Sequence, residues 1–289
     1  LSLSFDRARL SGFPFRLDLD LTGARLSEPS GWAVSSPHLK AEAYLISPGH
    51  WVAVSPAGVT VTRRGGGPLV VTARVLRASL SDIKAHPARI SVEGLDLSFS
   101  TPRGARPFFL KSAREFHLHT RAGPDDQGAI YVGVEGGTAT SEGLADRIVR
   151  GGPVSVVVDG LFSHASAMAG ADWPASLKAW SRAGGAFSVR AVELSAGAAR
   201  LKATRGALTA GADGRLAGEL KVSFARPDLI LAALDARGRL SPGVARTAGL
   251  AAGNPTPGVL RVNPPASLDF EAGRVTLGPA ALGASPQLF

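Results

Sequence analysis

Large apolar residues occupy every second position from Phe13 to Leu21: Phe13, Phe15, Leu17, Leu19 and Leu21. Pro14, Arg16, Asp18 and Asp20 fill the gaps. Successive side chains of a β-strand point to opposite faces, so this spacing predicts a strand whose odd positions face inward. Pro14 cannot donate a ladder hydrogen bond, which marks an edge or bulged strand. Leu1, Leu3 and Phe5 show the same period just upstream.

The period continues along most of the chain. Trp51–Val54 and Val59–Thr62 flank Pro56-Ala57-Gly58 and read as a hairpin. A glycine-rich loop from Arg64 to Pro68 precedes a long strand from Val70 to Ile83. Ile90 to Ser100 follows, with Leu95, Leu97 and Phe99 on one face. Phe109–Thr120 and Ala129–Val134 pair across the turn Gly123-Pro124-Asp125-Asp126, and Val154–Val158 reads as a short buried strand. Late in the chain, Leu201–Ala210 leads to Asp213-Gly214, a type I′ hairpin signal. Leu216, Gly218, Leu220, Val222 and Phe224 then share a face, and Leu268 to Leu277 forms a last pair around Ala272-Gly273.

Helix signals are few. Asp172-Trp173-Pro174 is an N-cap with an early proline, Ala175–Arg182 is compatible with helix, and Gly184-Gly185 stops it. Pro227–Ala236 and Pro242–Ala252 give two more short candidates. The expected fold is mainly β: one long, curved antiparallel sheet, a half-barrel or open barrel, with a few short helices. The chain reads as a single elongated β-rich domain over residues 1–289, with a soft internal boundary near 138–152. The helices are too few and too short to cover every strand. The sheet must close on itself, wrap the helices, or leave an apolar groove.

Composition sharpens this. No run of about 18 apolar residues exists to span a bilayer as a helix. The absence of cysteine excludes disulfides, iron–sulfur clusters and thiol-ligated zinc. A net charge of +9 favours anionic partners. The basic residues are dispersed, however, with Arg63-Arg64 the only adjacent pair, and only two tyrosines are present. Nucleic-acid binding uses clustered cations, often with exposed aromatics, so an anionic membrane surface fits better.

The run Ser11-Gly12-Phe13-Pro14-Phe15-Arg16-Leu17-Asp18-Leu19 resembles an uncharacterised family of alphaproteobacterial envelope proteins, domain-of-unknown-function family 2125. Asn263-Pro264-Pro265-Ala266-Ser267-Leu268 and Gly273–Pro279 are similar to the same family. The resemblance implies a periplasmic location, with an N-terminal signal or membrane anchor upstream of Leu1. The late hairpins also resemble those of AsmA-like envelope proteins, a likeness of pattern that implies a link to lipid traffic. The family supplies no catalytic residues.

The chemistry-bearing residues are sparse. Glu115, His117, His119 and Arg121 alternate on one strand. Two imidazoles and a carboxylate can ligate a metal, but the wet face of a half-buried strand gives the same pattern, and no metal or other cofactor is expected. His38, His50, His86 and His164 are scattered. No Gly-x-Ser-x-Gly elbow occurs, Ser163-His164 is adjacent in sequence as triad members normally are not, and Asp125-Asp126 sits in a turn. Gly65-Gly66-Gly67 lacks the lysine of a phosphate loop. An enzyme is therefore not expected. The expected role is lipid binding in envelope transport or homeostasis, with lipid, a membrane surface and envelope transport proteins as partners. The alternative is a structural or protein-interaction module with a closed core. Phe13, Phe15, Leu17, Leu19, Trp51 and Phe99 are the candidate groove residues of the first half. Trp173, Leu177 and Trp180, one helical stripe, and Leu220 and Phe224 are those of the second.

Overall fold

A computed structural model describes residues 1–140, 148–149, 152–235, 243, 247 and 266–289. Most of the predicted third helix, Pro242–Ala252, the segment Asn263–Pro265 and most of the soft boundary near 138–152 lie outside the described residues.

The chain forms one antiparallel sheet of 18 strands. In chain order these are β1 (Ser2–Ser4), β2 (Arg7–Ser11), β3 (Arg16–Ser27), β4 (Ala33–Tyr44), β5 (Trp51–Val54), β6 (Val59–Arg63), β7 (Gly67–Thr72), β8 (Val75–Ser81) and β9 (Arg89–Ser100). They continue with β10 (Leu110–Ala122), β11 (Gly128–Ala139), β12 (Val154–Phe162), β13 (Ala186–Ala196), β14 (Ala199–Ala210), β15 (Leu216–Ala225), β16 (Ala266–Glu271), β17 (Arg274–Leu277) and β18 (Ala280–Ala284). Among the described residues two α-helices with defined bounds interrupt the series, α1 (Trp173–Arg182) and α2 (Pro227–Asp235).

The pairing is a meander. From β9 to β18 each strand pairs with the next. At the other end β1 and β2 lie end to end along one edge of β3. The pairing of β11 with β12 carries the sheet across the predicted soft boundary. Among the described residues, no pairing joins β1 or β2 to β18, so the sheet stays open.

The predicted hairpin of Trp51–Val54 with Val59–Thr62 does not form. Both segments pair with the same edge of β4, β5 against Lys40–Ala43 and β6 against Ala33–Ser35. They run in one direction as a single strand interrupted at residues 55–58. There Ser55 donates its hydroxyl to Gly58 O at 2.5 Å and contacts Ser36 Oγ at 2.7 Å. The predicted long strand 70–83 is likewise split into β7 and β8, which follow β6 and β5 across the sheet. The connection after Ala210 is also longer than a two-residue turn. Gly211 N donates to Arg215 O, and Gly214 adopts φ +75°, the arrangement of a type I turn followed by a left-handed residue.

The strand predicted from Phe13 begins only at Arg16. Residues 13–15 form the turn between β2 and β3, and Arg16 N closes it onto Gly12 O. The alternation thus extends beyond the ladder into a turn.

The helices are as short as expected. Asp172 caps α1, its carboxylate accepting from Ala175 N at 2.8 Å, while Glu28 from the β3–β4 loop accepts from Trp173 N at 2.9 Å. Two carboxylates thus satisfy N–H groups that a helix start leaves without partners. Leu177 and Trp180 are buried against Ala210, Phe162, Phe187, Leu288 and Phe289. The Trp180 indole donates to Ser163 O at 2.7 Å.

Candidate functional site

The register shows what periodicity alone cannot: which residues meet across the sheet. Taking directly paired positions from β2 onward gives Leu10, Leu19, Ala41, Ala53, Ala78 and Val92. The same row continues through Leu118, Val132, Val158, Val192, Ala203, Val222 and Ala266. Every position is apolar, although apolar residues make up only 45% of the chain. At about 4.8 Å between strands the row runs for about 58 Å.

Rows on either side share this face. Towards one set of turns run Leu17, Ala43, Trp51, Leu80, Ile90, Thr120 and Ile130. Thr120 is the polar exception, and its hydroxyl is occupied, donating to Ala88 O at 2.8 Å. On the other side run Leu76, Gly94, Phe116, Val134, Val156, Leu194, Leu201 and Phe224.

The opposite face is polar. One residue along from the central row, the paired positions read Arg9, Asp20, Lys40, Val54, Arg77, Glu93, His117, Gly133, Val157, Glu193 and Lys202, so eight of the eleven are polar or charged. Arg77 bonds Glu93 with its Nε 2.7 Å away, and Lys202 meets Glu193 at 3.0 Å. Opposite charges across a strand pair stabilise the ladder modestly.

The apolar face is covered unevenly. Among the described elements, the substantial contacts are between hydrogen-bonded strands; α1 and α2 reach β14, and α1 also touches the one-turn 3₁₀ helix Ala165–Ala167. Nine successive residues of the central row, Leu19 through Val192, are only half-buried. Further along, Ala203 is 1% and Val222 0% exposed. There Val189, Leu220, Phe270, Leu277 and Ala280 pack with them into a filled core.

The candidate residues distribute accordingly. Leu17, Leu19 and Trp51 lie on the open apolar face. Phe99 packs against Phe108, ring centroids 5.1 Å apart, in a small side cluster with Leu69 and Leu97. Leu220 belongs to the filled core and Phe224 packs against it. Leu177 and Trp180 are buried under α1, whereas Trp173 is half exposed at its start. Phe13 and Phe15 leave the groove for an exposed turn. Sequence reasoning missed the alanine run Ala41, Ala53 and Ala78, which makes the trough deepest where β4, β5 and β8 meet. Period-two reading undervalues alanine, and only register aligns the three.

On the polar face, one ligand atom each from Glu93, His117 and His119 falls within 4.8 Å of the others. Glu93 joins from β9, a cross-strand neighbour invisible in sequence; the histidines had been grouped with Glu115. Each group already has a protein partner. Arg77 holds Glu93, the Ser91 hydroxyl lies 2.9 Å from His119 Nδ1, and Glu115 lies 3.3 Å from His117 Nε2. A hydrogen-bonded ladder accounts for the cluster. Near it lies an open basin of about 1410 Å³, lined from this face by Ser79, Ser91, His119, Tyr131 and Asp159.

The Asp126 carboxyl is held below its ordinary range because Ser166 donates both its backbone N–H and its hydroxyl to it. This ties the β10–β11 turn to the 3₁₀ helix.

Fold and surface together define a class: an open, single-layer β-meander with one apolar and one polar face. The chain belongs to the family described as "Uncharacterized protein conserved in bacteria (DUF2125)", whose model matches residues 1–286. No curated protein and no solved structure matches it.

Proposed function

We propose that this protein binds amphipathic lipids along the open apolar face and serves envelope lipid transport or homeostasis. The observation that carries the reading is the half-buried central row from Leu19 to Val158, which joins none of the buried hydrophobic clusters among the described residues. A face of this length on a soluble fold costs solubility unless something apolar occupies it. Each acyl methylene moved from water onto it contributes about 0.8 kcal/mol, so binding needs no polar contact. The open stretch from Leu19 to Val158 crosses seven strand spacings, about 34 Å, close to the ~30 Å hydrocarbon core of a bilayer. Two acyl chains fit end to end along it, which suits passage along a track better than storage in a closed pocket. The mechanism is burial, not bond chemistry. A periplasmic location behind a signal or anchor accords with the envelope character that the sequence resemblance implies.

The test is native mass spectrometry of the purified protein with lipid extraction, paired with titration of a fluorescent fatty-acid probe. Co-purified lipid and saturable probe binding that persists at high salt are expected, because burial of acyl chains is not screened. Lipid-free protein that also fails to bind the probe overturns the reading and favours a structural or protein-interaction module.

A further inference from the structure

We propose that the sheet edge formed by the β2–β3, β4–β5 and β8–β9 turns docks onto an anionic lipid bilayer, tips in the membrane and cations on the headgroups. The proposal deepens the lipid-binding reading but rests on different residues. Phe13, Phe15 and Ile46 are 80–96% exposed, and Tyr44 and Ile83 are 59–60% exposed. All five sit at or beside these three turns. Single exposed apolar residues are ordinary; five bulky ones on adjacent turns are not.

The turns form one edge. Leu45 N donates to Phe15 O, joining the first to the second. Ser47 and His50 of the second and Ile83 and Lys84 of the third line the same basin. The next turn along, between β10 and β11, carries Pro124, Asp125 and Asp126 and no bulky apolar residue, so the patch ends there.

Charge selects the occupant. In the basin beside the tips Arg89 pairs with Asp82 at 3.6 Å and Arg190 with Asp159 at 3.9 Å, so the excess positive charge there comes from Lys84 and Arg121. Apolar tips backed by cations complement lipid chains under anionic headgroups. Separate turns about two strand widths, or about 10 Å, apart can each enter a fluid bilayer independently, whereas a protein partner would need a matched pocket for each.

The experiment is co-sedimentation of the whole chain with phosphatidylcholine vesicles, with and without phosphatidylglycerol. Binding that strengthens with phosphatidylglycerol and weakens with salt is expected. The exposed double variant Ile46→Ser/Ile83→Ser, with unchanged melting, should bind vesicles at least tenfold more weakly while taking up the fatty-acid probe normally without vesicles. Lys84→Glu/Arg121→Glu should abolish the phosphatidylglycerol preference. Failure of the trough is read separately, because Ala78→Phe should reduce probe uptake and keep vesicle binding. Vesicle binding by Ile46→Ser/Ile83→Ser equal to the unaltered chain overturns the proposal. So does equal binding to both vesicle types, or self-association that disappears in that variant while vesicles remain unbound.

Discussion

The central apolar row passes through two regions that differ only in what lies above them. Between β3 and β12 it is bare and half-buried. Between β14 and β15 it is sealed at Ala203 and Val222 within a cluster that includes Leu220, Phe270 and Leu277 of neighbouring strands. Alternation is the same in both. The second behaves as a core because side chains of β13 to β18 gather around Ala203 and Val222, with α2 reaching β14; among the described residues the row from Leu19 to Val158 joins no such cluster. An apolar strand face therefore records where burial is possible, and its use depends on the cover.

The largest expected effect contrasts Val222→Asp with Val132→Asp. The first places an unpaired charge in a sealed site and should cost about 3–5 kcal/mol. The second lies on the bare stretch and should cost about 1 kcal/mol, while sharply weakening probe binding. Denaturant unfolding with a probe titration separates them, and equal destabilisation would erase the distinction between regions.

A smaller contrast comes from adding volume. Ala203→Phe should destabilise by about 1–3 kcal/mol through overpacking. Ala78→Phe should shift stability by no more than about 0.5 kcal/mol and reduce lipid capacity. Gly218, although inward, does not suit this purpose. It adopts φ +125°, and a Cβ there would lie 2.1 Å from Ala207 O, so Gly218→Leu distorts the ladder instead of narrowing the trough.

The smallest effect is electrostatic and lies at a turn of the bare region. Asp126 has a lowered folded pKa, so its contribution is present above the unfolded carboxyl pKa and disappears as pH falls through the folded one. Asp126→Asn should melt below the unaltered protein at neutral pH, and the two should converge in acid. A gap that persists in acid would mean that the turn is held by something other than the Ser166 bonds.

Much of the fold was legible because strands with one wet face announce themselves by alternation. Leu17 to Leu21 and Ile90 to Phe99 were placed correctly. β13 was missed because a register shift opposite Asp159 and Gly160 breaks its period between Val189 and Val192. β18 was missed because Ala280-Ala281-Leu282-Gly283-Ala284 has little β character of its own and is held by β17. The site was less legible than the fold. Leu17, Leu19 and Trp51 lie on strands with a strong pattern, but Glu93 beside His117 and the three aligned alanines exist only through register. Phe13 and Phe15 misled because an exposed apolar turn and an inward strand face are written with the same residues.

In a closed barrel the number of strands fixes the diameter. In this meander it fixes length. Each hairpin inserted between two existing strands would extend the apolar row by about 10 Å and leave the residues beyond it in the same register with their neighbours. Span therefore becomes a quantity that gene duplication can adjust in discrete steps, as rungs are added to a ladder, without redesigning the hydrophobic core at Val222.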